Sequence, residues 1–77
     1  MKKKIFNIIK KYATLHHGYS GDVDENTLLK ELGIDSLGWQ EVLIIIEEKT
    51  NRLVLWDKID WKNVETLGEL CDQIKFE

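Results

Sequence analysis

No proline interrupts this chain, so its helix boundaries must be set by glycines and capping side chains alone. Cysteine is almost as scarce. Cys71 stands alone, which excludes an internal disulfide, and a reducing cytoplasm is the expected compartment. The two histidines, His16 and His17, are neighbours, and no Cys/His spacing suits a zinc site. No membrane span is expected, because the longest apolar run is the five residues Val42 to Ile46. No nucleophile–His–acid set and no paired catalytic carboxylates can be picked out. Gly18-Tyr19-Ser20-Gly21 lacks the lysine and spacing of a phosphate-binding loop. An enzyme is therefore not the expectation.

What is present is short and acidic. The 77 residues make one domain, residues 1–77, too small for a large internal active site. Residues 1–17 hold five lysines and no acid, whereas the rest holds six basic and fourteen acidic residues, a net of −8. An acidic body argues against nucleic acid as a partner and favours partners with basic docking surfaces. The basic head reads equally well as a solvated helix face. The opening Met1 to Ile9 has the look of a leader, but Lys10-Lys11 ends the apolar stretch and no small-residue cleavage site follows, so a first helix is expected there.

Ile5, Ile8, Ile9, Tyr12 and Leu15 recur at helical spacing and predict one buried stripe on a helix from about Lys3 to His16, ending near Gly18. Residues 18–35 read as a long loop, with Leu28, Leu29 and Leu32 forming a helical turn that pins it to the core. A second helix is predicted from Asp35 or Ser36 to about Thr50, burying Trp39, Val42, Leu43 and Ile46. Leu53-Val54-Leu55 could form a short strand but has no evident partner, so a helical turn around Asp57–Trp61 is expected instead, with Trp56 and Trp61 covering the side of the bundle. Thr66 and Glu69 fit a capping box at the start of the last helix, whose buried stripe is Leu67, Leu70, Cys71 and Ile74. The expected fold is all-α, a small helical bundle with three main helices and one short one.

The stretch Leu32-Gly33-Ile34-Asp35-Ser36-Leu37 places a serine where a long loop turns into a helix. Backbone N–H groups there lack intrahelical partners and the helix dipole is positive, so a phosphate on that hydroxyl would be stabilised. Taken alone, Asp35 and Ser36 are equally ordinary helix caps.

The wider context is more specific. Gly33-Ile34-Asp35-Ser36-Leu37, with Glu41-Val42 and Ile46-Glu47-Glu48 after it, resembles the acyl carrier protein family, as do Leu28-Leu29-Lys30-Glu31-Leu32 and the stretch from Asp60 to Leu70. The resemblance runs from about Ile5 to Ile74 and implies an acyl-carrier-protein-like bundle. It makes Ser36 the attachment point of 4′-phosphopantetheine, moved from coenzyme A by a phosphopantetheinyl transferase, with Asp35 the acid before it. Cargo would be held as a thioester on that arm, and acyl-loading and acyl-processing enzymes would be the partners of a carrier expected to be monomeric.

Leu37, Glu41, Ile44 and Glu48 are spaced four, three and four apart, on one helix face roughly opposite Trp39, Val42 and Ile46. They are the expected partner surface. Trp39, one turn from Ser36, is placed to line or fill the upper part of a cargo pocket. Gly38 and Trp39, Thr50 where the family often has an aromatic residue, and Leu55-Trp56 where proline is common imply a specialised carrier, in fatty-acid, polyketide or related lipid biosynthesis. Asp35-Ser36-Leu37-Gly38 also resembles D-alanyl carriers, so an aminoacyl or peptidyl carrier stands as the alternative. A helical interaction module that is never modified is the alternative from another class.

Overall fold

The computed structural model describes residues 2–77. Among the described residues there are three α-helices, α1 (Lys2–His17), α2 (Ser36–Thr50) and α3 (Leu67–Gln73), with one 3-10 turn, Leu29–Leu32, between α1 and α2 and two, Trp56–Lys58 and Trp61–Asn63, between α2 and α3. The protein is all-α, and α1 packs against both α2 and α3.

Ile5, Ile8, Ile9 and Tyr12 of α1 are buried, and Ala13 continues their stripe into the core. Leu15 does not follow. It is 79% exposed, whereas Ile8, nearly in line with it two turns earlier, is covered. Both line a groove with Ile45 of α2, and the packing that shields Ile8 does not extend along α1 as far as Leu15. The helix ends at a left-handed Gly18 with φ 66°, a conformation that glycine adopts without steric cost.

The lysines of α1 are partly spent within the molecule. Lys2 pairs with Glu25 at 2.6 Å and lies 3.7 Å from Asp72, and Lys10 pairs with Asp22 at 2.6 Å. The hydrogen bond from Lys10 holds the Asp22 carboxyl below its ordinary range, and that from Lys2 to Glu25 raises the Lys2 ammonium. The uneven charge along the chain therefore includes a complementarity between α1 and the long loop it faces.

α2 carries apolar residues nearly all round. Ile46 is fully buried, Ile45 is half-buried and Ile44 is 45% exposed, as successive steps of 100° around the helix require. Asn51 closes α2 in the left-handed region with φ 56°, donating its N–H to Glu47 O. In a chain without proline, this asparagine does what a C-terminal glycine commonly does.

Beyond α2 the expectation of an unpartnered Leu53–Leu55 is corrected. Val54 forms an antiparallel bridge with Phe76, and Leu55 N donates to Lys75 O and Glu77 N to Leu53 O, both at 2.8 Å. The partner is the chain's own last residues, too short to read as a strand by periodicity. Two 3-10 turns then replace the single expected one.

The capping box of α3 is complete. Glu69 N donates to Thr66 Oγ1 at 3.2 Å, and Thr66 N donates to Glu69 Oε1 at 3.1 Å. The remaining N–H groups of that first turn go to the long loop, Leu67 N to Thr27 O and Gly68 N to Glu25 O. A β-carbon on Gly68 would sit 3.0 Å from that same Glu25 oxygen, so glycine permits the approach. Leu67, Leu70 and Ile74 are buried, while Cys71 is only half-buried against the core. Among the described residues, no helix is long and apolar enough to cross a membrane.

Candidate functional site

Ser36 is the first residue of α2 and is exposed. The cap is Asp35, not Ser36. Its extended backbone, with φ −88° and ψ −176°, lets Oδ1 accept from Gly38 N at 2.8 Å. The serine hydroxyl is thereby left to the outside, at the positive end of a fifteen-residue helix. Two of the sequence candidates, Asp35 and Ser36, are thus neighbours with separate tasks: one closes the helix and the other presents a hydroxyl.

Gly38 explains a choice that helix propensity alone opposes. An added β-carbon there would lie 2.8 Å from Ile34 Cγ2, 3.2 Å from Asp35 Oδ1 and 3.4 Å from the Tyr12 hydroxyl. The first turn of α2 therefore sits directly on Ile34 and Tyr12, and only glycine lets it do so. This fixes Ser36 relative to α1.

The four residues of the expected partner face, Leu37, Glu41, Ile44 and Glu48, are all exposed. Leu37 is 70% exposed, the largest value for an apolar residue of α2. Glu41 also has an internal partner: its Oε2 accepts the Tyr12 hydroxyl at 2.9 Å. Burial, reinforced by that bond, pushes the Tyr12 phenol above its ordinary range.

Trp39 is buried at 7% exposure and lies against Trp61, with ring centroids 5.9 Å apart and planes inclined at 44°. Ser36, Trp39, Gln40, Leu43, Trp56 and Trp61 together line a groove of about 360 Å³. All three tryptophans of the chain meet there. Trp56 and Trp61 do cover the side of the bundle, but they do so as walls of a groove that starts at Ser36. Glu47 holds one wall in place, its Oε2 accepting from Val54 N at 2.9 Å and from Trp56 Nε1 at 3.3 Å. Trp56, Trp61, Gln40 and Glu47 were not singled out as site residues from the sequence. The only available signal was that every tryptophan falls between Ser36 and the last helix.

The cysteine and histidines do not join this site. Burial pushes the Cys71 thiol up to about 11, which leaves it protonated and unreactive at neutral pH. The His16 ring lies 4.3 Å from the Tyr12 ring at a tilt of 37°, and His17 lies 6.0 Å from the same ring. Among the described residues, no cluster of His, Cys, Asp and Glu is arranged to hold a metal.

A serine set in this way could accept a phosphoryl-linked group. The hydroxyl is accessible and the nearest helix end is positive. The one adjacent carboxylate has an oxygen drawn back onto Gly38 N, which lessens its repulsion of a phosphate. Compared with known proteins, the chain matches no family model, no curated protein and no solved structure.

Proposed function

We propose that this chain is an acyl carrier protein that holds acyl-type intermediates as thioesters on a 4′-phosphopantetheine arm at Ser36. The observation that carries the reading is the accessible Ser36 hydroxyl at the start of α2, within Asp35-Ser36-Leu37 and with Asp35 engaged as the cap. The arm supplies a thiol for the thioester, and the chain itself supplies position. In attachment, Ser36 Oγ forms a bond to phosphorus as the phosphoanhydride of coenzyme A breaks and adenosine bisphosphate leaves. The hydroxyl proton passes to a base of the transferase. Subsequent chemistry belongs to the enzymes that visit the arm.

Leu37 and Ile44, with Glu41 and Glu48 beside them, form the surface we assign to these partners, a phosphopantetheinyl transferase and acyl-loading and acyl-processing enzymes. Exposed apolar residues flanked by acids suit a basic, partly apolar docking patch. We place the protein in the cytoplasm, as a monomer in fatty-acid, polyketide or related lipid biosynthesis. The volume of the groove at Ser36, though not its lining, also suits the compact cargo of the second reading, an aminoacyl or D-alanyl carrier.

The test is intact mass after incubation with coenzyme A and a broad-specificity phosphopantetheinyl transferase. Native protein gains the mass of one arm, and Ser36→Ala folds alike and gains none. Ser20 is the only other serine and serves as the internal comparison. Absence of the gain in native protein, with a known carrier modified in parallel, would leave a non-modified interaction module as the reading.

A further inference from the structure

Trp39 lies on α2 and Trp56 and Trp61 on the two 3-10 turns that follow it, yet all three converge on one groove that Ser36 also lines. Among the described residues, Leu43 is the only aliphatic one lining it and Gln40 the only polar one besides Ser36, and no carboxylate or cation lines it. The walls are thus indole rings. Trp39 and Trp61, at 5.9 Å and 44°, are at the spacing of tilted aromatic pairs. Trp56 is held by its Nε1 on Glu47, so its ring is oriented independently of any cargo. We infer that this groove holds a flat aromatic acyl group carried on Ser36. The inference rests on the carrier reading of that serine.

Three features favour this cargo. A volume of about 360 Å³ lies at the small end for ligand sites, enough for one ring system with part of its tether but not for a long chain folded inside. Indole walls present quadrupoles, so a flat ring gains edge and face contacts beyond its buried area, and an aliphatic chain gains area alone. An ammonium cargo would have to shed water into a groove that offers no carboxylate in return. The groove is open on one side and would hold a free aromatic acid only weakly. Tethering changes this, because a short flexible link supplies an effective concentration in the millimolar range. A weak aromatic groove beginning at the attachment residue is suited to a tethered ligand.

The experiment loads native protein from acetyl-, alanyl-, hexanoyl- and benzoyl-coenzyme A with a broad-specificity transferase. Intact mass establishes the loading, and tryptophan emission and thermal unfolding are then recorded. The benzoyl form is expected to show altered emission and to melt about 5 °C above the acetyl form, with the hexanoyl and alanyl forms rising less. Trp61→Ala, at an exposed position, should take up the same mass but lose the benzoyl increment, and Trp61→Phe should retain most of it. If no form gains mass, the carrier reading fails and this inference with it. If all forms load but melt and emit alike, or if hexanoyl or alanyl cargo stabilises as much as benzoyl, the carrier reading stands and the aromatic cargo is overturned.

Discussion

The Tyr12 hydroxyl donates to Glu41 Oε2 at 2.9 Å, joining α1 to the outward side of α2 five residues beyond Ser36. A surface carboxylate on the proposed docking face is therefore also a structural tie. Tyr12→Phe removes the donor and keeps the buried ring. It should cost about 1.5 kcal/mol in chemical denaturation, the lower end for a hydrogen bond to a charged group. Glu41→Gln, which keeps an acceptor, should cost less. An unchanged denaturation midpoint for Tyr12→Phe would show that the bond contributes nothing.

Gly38→Ala should destabilise the protein although alanine is the better helix former. At an exposed helical site the exchange favours alanine by about 1 kcal/mol. Here the new methyl would sit 2.8 Å from Ile34 Cγ2, on a stiff, buried, β-branched side chain. The overpacking should outweigh the gain and leave a net loss of about 1–2 kcal/mol by thermal or urea unfolding. A more stable Gly38→Ala protein would mean that α2 can slide off Ile34 without cost.

Charge reversal at Glu48 gives the cleaner test of docking, because among the described residues no hydrogen bond ties it to α1 as one ties Glu41. Glu48→Lys should slow arm transfer several-fold at low salt, with the difference shrinking as salt rises, because surface charges steer encounter within a Debye length. Stability should move by less than about 0.5 kcal/mol. Leu37→Ala should slow the same reaction at all salt concentrations, since its contribution is contact area. Identical transfer rates for both variants and the native protein would place the docking face elsewhere.

Cys71 provides a pH test. Burial raises its thiol from 9.0 to about 11, so between those values the unfolded chain ionises this group while the folded chain keeps its proton. The contribution to stability is complete below pH 9 and is lost as pH rises towards 11. Native protein should alkylate slowly with iodoacetamide at pH 8 and rapidly once unfolded. Its stability should fall from pH 9 to pH 11 more steeply than that of Cys71→Ala. Equal slopes would show that the thiol is not differentially held.

Much of this molecule was set locally and could be read from the chain. The Ile5–Ile8–Ile9–Tyr12 stripe, the Trp39–Val42–Leu43–Ile46 stripe, the Thr66–Glu69 box and the opening of α2 at Asp35-Ser36 each depend on residues within a turn or two of one another. Helical periodicity and capping act over that range. Leu29–Leu32 forms its turn for the same reason, and the position of Ser36 at a helix start follows from Asp35 three residues before the amide it caps.

What tertiary structure alone decided is which distant segments touch. Whether Leu15 is covered depends on how far the packing against α2 extends along α1, not on its own spacing. Leu53–Leu55 finds its partner in Lys75–Glu77, across α3, and the first turn of α3 gives its amides to Glu25 and Thr27 some forty residues earlier. Gly38 is required by an approach to Ile34 and Tyr12 that helix propensity opposes. Trp56 and Trp61 reach Ser36 because Glu47 and two 3-10 turns fold the segment after α2 back along it. Sequence periodicity specifies the face a residue occupies on its own helix. The groove at Ser36 exists because separate elements are brought together by the packing of a shared core, and that is a property of the whole chain.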